Sequence, residues 1–415
     1  MSGLPSVNIT FTEAAKNAVI RSSRGVVGLI LKEASATIPS GNPVTVTSGS
    51  EIPSGISSAN KTQIAKALIG YTEAPRKVIC YFVAPETSTV YTYDPVTPEA
   101  GANPKTSGWY EKDGDEYVLT NDETVQNDKT YYEKKSSTVT TTDYTDALAY
   151  MLTTDVNYIA APTAETDGQT TAIKTWITNI HDSADENYGI MAVLPNTAAD
   201  NEFIINYTTS SVTDSDGNTF TAEGYCARIA GILATTPMNR SCTYAPLPEL
   251  QTCSIVSRDE AGSKNDLGQF IVFWDGEKVK AGRGVNSFTT TTETKSAVYK
   301  KIKVVDTMQQ IKKDISTAAE DSYIGKYSNN YDNKGLLITA INDYFGELIR
   351  AGALNSGNCD IDLDANRAYL RNKGIDVSKM TDQDIRTALT DDQVFLAATI
   401  AILDAMEDIT LNITI

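Results

Sequence analysis

Few residues in this 415-residue chain have the type and spacing that could do chemistry. His181-Asp182-Ser183 places an imidazole beside a carboxylate and a hydroxyl, the ingredients of a general base, its orienting group and a nucleophile. Neighbours on a helix point in different directions, so the three cannot face one another, and the run reads as a solvated helix end. His181 is also the single histidine, which leaves His-based metal sites and base catalysis with one candidate. Gly282-Arg283-Gly284-Val285-Asn286-Ser287 begins like a dinucleotide-binding fingerprint. It ends in Ser and runs into Phe288 and four threonines, which will not open the helix whose N-terminus would cradle a phosphate. Asp360, Asp362 and Asp364 have the spacing of the first ligands of a calcium loop, but Ala365 replaces the turn glycine and Arg371 the bidentate Glu. Their alternation with Ile361 and Leu363 predicts a half-buried strand instead. The five cysteines (80, 226, 242, 253 and 359) never form a C-x-x-C pair and read as free, mostly buried thiols. No catalytic, cofactor-binding or metal-ligating set emerges.

The elements that would have to position such residues are clearer. Val26 to Leu31 and Lys77 to Val83 are nearly continuous apolar runs, as expected for strands buried on both faces. Strands at 156–161 and 190–194 alternate with helices carrying Leu148 and Met151, then Ile173, Ile177 and Ile180. Thr221 can cap a helix through Tyr225, Ile229 and Leu233. This rhythm predicts an α/β fold with an open, largely parallel sheet over 21–85 and 143–249. From 250 to 407 the order becomes α+β: strands at 251–257, 269–274 and 277–281, a strand-like alternation at 301–305, then helices. One helix ends at Gly352, and another is predicted from Val394 to Met406 behind a Thr390/Gln393 capping pattern.

Residues 86–142 interrupt the α/β rhythm with 11 acidic against 5 basic side chains, six tyrosines and no arginine. Asp113-Gly114 between two aromatic strands predicts a two-residue hairpin of type I′, so the segment reads as a small all-β insertion. The whole chain carries a net charge of −18, which makes nucleic acid and anionic membranes poor partners. It also lacks a secretory leader pattern and any apolar run of membrane-spanning length, so a cytoplasmic, soluble product is expected.

Both ends are alternating strands without a hairpin partner: Val7, Asn8, Ile9, Thr10 and Phe11, and Ile409, Thr410, Leu411, Asn412, Ile413, Thr414 and Ile415. Each must pair within its own chain or add to a neighbour's sheet edge. We therefore delimit an N-terminal arm at 1–20 and a C-terminal arm at 408–415. Lys300, Lys301, Lys303, Lys312 and Lys313 belong to the chain's one basic concentration, a candidate electrostatic contact with an identical acidic neighbour.

Arg228-Ile-Ala-Gly-Ile-Leu-Ala-Thr-Thr-Pro-Met-Asn-Arg-Ser241, running into Thr243-Tyr-Ala-Pro-Leu-Pro-Glu249, resembles the middle segment of contractile tail sheath proteins of phages and phage-tail-like bacteriocins. Arg283 to Ser287, the stretch from Asp321 to Lys334, Leu403 to Ile409 and the opening Gly3 to Ile9 resemble other elements of that family. The resemblance spans nearly the whole chain except 86–142, which has no evident counterpart. It implies a structural subunit, not an enzyme, that polymerises as stacked six-fold rings in a helical homo-oligomer. Its arms would exchange strands, and its partners would be an inner tail tube protein, a baseplate and a tail terminator. It further implies a particle assembled in the host bacterial cytoplasm, whose contraction drives the tube through a bacterial envelope. Two other readings compete. One is a bacterial surface or adhesion protein whose insertion binds carbohydrate through Trp109, Tyr110 and Tyr132. The other is an α/β enzyme with its site at the sheet's switch point.

Overall fold

The computed structural model describes residues 19, 24–182 and 189–414. At its centre lies a seven-stranded sheet in the spatial order Val44–Val46, Lys77–Val83, Val26–Lys32, Tyr158–Ala160, Met191–Pro195, Ile204–Tyr207 and Gln269–Phe270. Six strands run parallel, and the short Val44–Val46 edge strand runs antiparallel to Lys77–Val83. Side chains of period two divide the central strand between two cores. Val27, Leu29 and Leu31 pack with Ile64 and Ala67 of helix Ser58–Ala67 and with Tyr225, Ile229 and Ile232 of helix Ala222–Thr235. Val26 and Ile30 face the opposite way, onto helices Thr145–Leu152 and Thr170–Asp182. The Thr221 hydroxyl accepts from the Gly224 amide at 3.2 Å, as its capping position predicts.

The division expected at residue 250 does not separate two cores. Gln269–Phe270 extends the central sheet beside Ile204–Tyr207, and Phe270, Val272, Val279 and Ala281 belong to the same core as the central strand. The expected strands at 251–257 and 269–281 are shorter (Leu250–Cys253, Val272–Trp274, Val279–Ala281), with the Asp275-Gly276 turn between the last two.

Two further expectations fail in the C-terminal half. Residues 301–305 are not a strand, since helix Ile302–Ser322 begins there and buries Ile302, Val304 and Val305 in its first turn. The segment predicted as a helix from Val394 forms the strand Leu396–Ile402, antiparallel to Leu354–Ile361. Leu396, Ile400 and Ile402 lie two or four residues apart, so they reach the core of helices Ile302–Ser322 and Tyr331–Arg350 from a pleated face. Thr390 caps nothing; its hydroxyl accepts from buried Lys334 and donates to the Gln393 carbonyl. The aspartate series ends the Leu354–Ile361 strand, and Asp362 caps helix Leu363–Asn372. Gly352, with φ of 74°, follows helix Tyr331–Arg350 as predicted.

The insertion is a ribbon. Pro85–Val96 and Tyr131–Thr142 pair antiparallel over twelve residues each, roughly 40 Å at about 3.3 Å per residue. It starts one residue after strand Lys77–Val83 and returns just ahead of helix Thr145–Leu152. The tip adds hairpin Tyr110–Asp113/Glu116–Leu119 and a one-turn helix, Pro104–Ser107, so the module is not wholly β. The hairpin turn is Gly114-Asp115, one residue later than predicted. Only Gly114 has a positive φ, whereas type I′ requires two. Tyr93 stacks on Tyr117 at 4.2 Å and meets Tyr110 edge-on, while Trp109 tilts over buried Tyr131. These rings pack on one another, with Tyr131 fully buried among them.

The sheet's strand order reverses between Val26–Lys32 and Tyr158–Ala160, where α/β enzymes place ligands. Here the crevice is about 170 Å³, and the nearby helix N-terminus is already engaged by a carboxylate. Glu33 accepts from the Ser57 amide at 2.9 Å, Asn60 Nδ2 at 2.9 Å and the Thr37 hydroxyl at 2.7 Å. Burial pushes this carboxyl up, but those donors outweigh it and hold it at about 2.

Two outcomes follow from this packing. Gly231→Ala would bring a Cβ to 2.3 Å from the Ala67 carbonyl where two helices meet, and should lower stability by ~1–3 kcal/mol in denaturant melts, against alanine's usual advantage in a helix. Glu33→Gln should cost ~1–3 kcal/mol at neutral pH. A depressed carboxyl stabilises above its unfolded pKa and loses that contribution as pH falls through its folded one, so the variant's stability should change less between about pH 4 and pH 2.

Candidate assembly site

The residues singled out for chemistry are structural. His181 is half-buried rather than solvated: Nε2–H donates to the Ile190 carbonyl at 2.7 Å and the ring stacks on Phe203 at 3.6 Å. Burial lowers its pKa to about 4, so it is neutral at pH 7. All five cysteines are buried and free, and burial pushes the Cys80 thiol up to about 12. Among the described residues no group of three or more His, Cys, Asp or Glu could hold a metal ion.

What the fold does bring together is the root of the C-terminal arm. Leaving strand Leu396–Ile402, the chain makes one more backbone bond, Leu403 N–H to the Ala353 carbonyl at 3.0 Å. Side chains then take over. Lys303, buried at the start of helix Ile302–Ser322, donates to the Leu403 carbonyl, and Lys301 beside it pairs with Asp404. Burial pushes the Asp404 carboxyl up, and the bond from Lys301 outweighs it, so the group stays below its ordinary range. Glu407 Oε1 accepts from the hydroxyls of Thr243 at 2.6 Å and Ser241 at 3.2 Å, and its Oε2 lies 3.4 Å from Arg283 Nε. Arg283 Nη2 donates to both oxygens of Asp408 at 2.6 and 2.8 Å.

The surrounding sequence explains why these side chains converge. Gly284 N–H donates to Thr243 Oγ1 at 2.9 Å, an approach that a Cβ at 284 would crowd, since it would meet Cys242 Sγ at 2.9 Å. Fully buried Asn286 bonds the carbonyls of Glu202 and Tyr299, and the Ser287 amide donates to Ile204 in the central sheet. The run from Arg283 to Ser287 is therefore a brace between sheet and arm, not a phosphate loop. Upstream, Arg228 is 2 % exposed and bonds Glu249 at 2.6 Å and the Gly70 carbonyl at 2.5 Å, with Tyr225 donating to the same carboxylate at 2.7 Å.

Beyond Asp408 the arm touches little. Ile409, Leu411 and Ile413 are 83, 77 and 77 % exposed, and no strand is formed from 403 to 414. Ile415 and the N-terminal stretch Val7 to Phe11 lie outside the described residues. Strands Leu354–Ile361 and Leu396–Ile402 form a two-stranded antiparallel sheet, so each strand has one edge without a partner among the described residues. Of the five lysines expected to face a neighbour, Lys301 and Lys303 grip the arm root and Lys313 pairs with Asp155 of its own chain. Lys300 is half-buried, and its backbone carbonyl accepts from Asn286. Lys312 lies near enough to His181 to add to the lowering that burial causes, against the bond to Ile190, which raises that group's pKa. Arg283 was missed as an arm ligand. The available signal was three acids within five residues, Asp404, Glu407 and Asp408, closing a chain whose cations cluster near 300.

The fold, an open largely parallel sheet followed by a helix-backed two-stranded sheet, is shared with solved sheath proteins. The sheath tail protein of Desulfitobacterium hafniense superposes with a TM-score of 0.61 at 20% identity, over 86% of this chain and 94% of that one. The helical sheath of the anti-feeding prophage in its contracted state gives 0.60 at 13% identity, over 100% and 99%. The phage tail sheath protein central domain matches residues 137–278 and the phage tail sheath C-terminal domain residues 294–415. The tail sheath protein of Clostridium phage phiCD119 is 32% identical over 414 residues, 100% of this chain and 99% of that protein. This chain belongs to the phage tail sheath family, a component of a phage tail or phage-tail-like particle. The end-to-end match to the Clostridium phage protein spans 86–142, whereas the family models match only from residue 137 onward.

Removing one partner of a buried ion pair strands the other charge. Arg228→Ala should therefore cost ~3–5 kcal/mol in thermal or denaturant unfolding, well beyond an exposed Lys→Ala control.

Proposed function

We propose that the chain is the repeating subunit of a contractile tail sheath that stacks as hexameric rings around an inner tube and shortens to drive that tube through a bacterial envelope. The N-terminal arm, centred on Val7 to Phe11, and the C-terminal arm, Ile409 to Ile415, would exchange strands between subunits. The observation that carries this is the presence of an exposed alternating apolar arm beside a two-stranded sheet whose outer edges have no partner among the described residues. A strand of six or seven residues added there forms about five hydrogen bonds at a net ~0.5–1.5 kcal/mol each, enough to hold subunits together while rigid bodies rotate.

In the domain plan we propose, arms of about 20 and 8 residues flank an α/β unit interrupted by the 86–142 module, and the C-terminal unit carries the Leu354–Ile361/Leu396–Ile402 sheet. The C-terminal unit, taken from about residue 250, lends Gln269–Phe270 to the central sheet. The tube, baseplate and terminator proteins are the expected partners, with assembly in the host cytoplasm. Lys300 is a candidate for contact with an acidic neighbour. Neither nucleic acid nor a membrane is assigned to this subunit, and no reaction is.

Deletion of residues 409–415 should leave a folded monomer with an unchanged melting temperature and abolish tube formation in negative-stain electron microscopy and sedimentation. Tubes of normal length from the truncated chain, with or without added tube protein, would refute arm exchange at this end.

A further inference from the structure

The C-terminal arm must leave each subunit in a defined direction if it is to find a neighbour's sheet edge, yet nothing in the backbone defines one. After Leu403 the described chain donates no further backbone hydrogen bond to another backbone group, and Met406 is 93 % exposed. A tail held by neither ladder nor core would sample all directions, diluting its tip over the volume that it can sweep. The six residues from 403 to 408 are instead held by side chains from three separate places: Lys301 and Lys303 at the start of a helix, Ser241 and Thr243 in the loop after another, and Arg283 in the brace. We infer that Arg283, Lys301 and Lys303, with Thr243, form a socket that grips residues 403–408 and aims the arm, making them positioning residues for strand exchange.

The contacts are graded along the segment. Lys303 is 7 % exposed and its partner is a backbone carbonyl, so this end of the grip does not depend on a second charge. The Glu407 side chain is 11 % exposed and receives two hydroxyls, which fixes it further. Asp408, 82 % exposed, is held by Arg283 alone and is the point from which the arm is free. Lys301 and Asp404 are 36 and 40 % exposed, a pair whose attraction salt screens. The socket draws its side chains from three separated stretches of sequence that meet beside the sheet-bearing core, in which Ile302 and Val305 are also buried.

The inference rests on the proposed exchange of arms, and its test separates the two. Full-length protein carrying Lys301→Glu, Asp404→Lys or both is compared with Arg283→Gln and with the chain lacking residues 409–415. Two measurements are made: the protein concentration at which tubes form at low and high salt, and the mobility of a nitroxide on Thr410→Cys in the monomer. The native thiols are buried, so the label is selective. Each single charge reversal should raise the assembly concentration ~3–10-fold and narrow the nitroxide spectrum, with melting temperature within a degree or two of wild type. The charge-swapped double variant should recover most of both, and high salt should weaken the wild type toward the single variants. Wild-type assembly and mobility in Lys301→Glu and Arg283→Gln, or no recovery on swapping charges, would overturn the socket while loss of tubes on deleting 409–415 kept arm exchange intact. Unimpaired tubes from the deletion would remove arm exchange, and the socket's role in it, together.

Discussion

The dryness of one strand governs most of this molecule. Val26–Lys32 is buried along six of its seven residues, flanked on each side by parallel neighbours and covered on both faces by helices. A backbone so placed has no access to water, so each of its peptide groups must find a partner in the adjoining strands. That demand aligns Lys77–Val83 over seven register positions and Tyr158–Ala160 over three. Once those are aligned, the alternation of side chains assigns every helix to a face. Helices Ser58–Ala67 and Ala222–Thr235 meet on one of them closely enough to require glycine at 231.

The sheet-forming runs were legible because burial on both faces leaves an unbroken apolar signature that few other elements share. The helices behind them were legible from period and caps, as Thr221 and Gly352 illustrate. Residues 394–406 were misread because Leu396-Ala-Ala-Thr-Ile-Ala-Ile402 satisfies a helical spacing as well as a pleated one. What decides is the Leu354–Ile361 strand, whose pairing with it no local window contains. The pairing of Gln269 and Phe270 with the central sheet was likewise hidden, because a two-residue strand is invisible until the edge it joins is known. The arms stood out in sequence as strands without partners, but the residues that hold one of them did not. Lys303 lies 100 residues from Leu403 and Ser241 166 from Glu407, separations at which only charge complementarity hints at contact.

The same fold in an enzyme would put a ligand where the strand order reverses. Beside that position the chain's own Glu33 takes the donors at the N-terminus of helix Ser58–Ala67. Fold and activity are separable for this reason: the sheet supplies a place, and the side chains at its mouth decide whether anything can enter. The resources of the polar surface appear instead at the arm root, where cations from distant parts of the chain converge on three acids.

The ribbon at 85–142 leaves and re-enters the body through two residues that are themselves paired, Pro85 with Thr142. A segment whose ends already meet closes its own loop. Whatever hangs from the far end adds almost nothing to the entropy of closing the body around it, and removes no contact from either core. Such a closed ribbon can change in length or sequence at its far end without altering the register of the sheet beneath it.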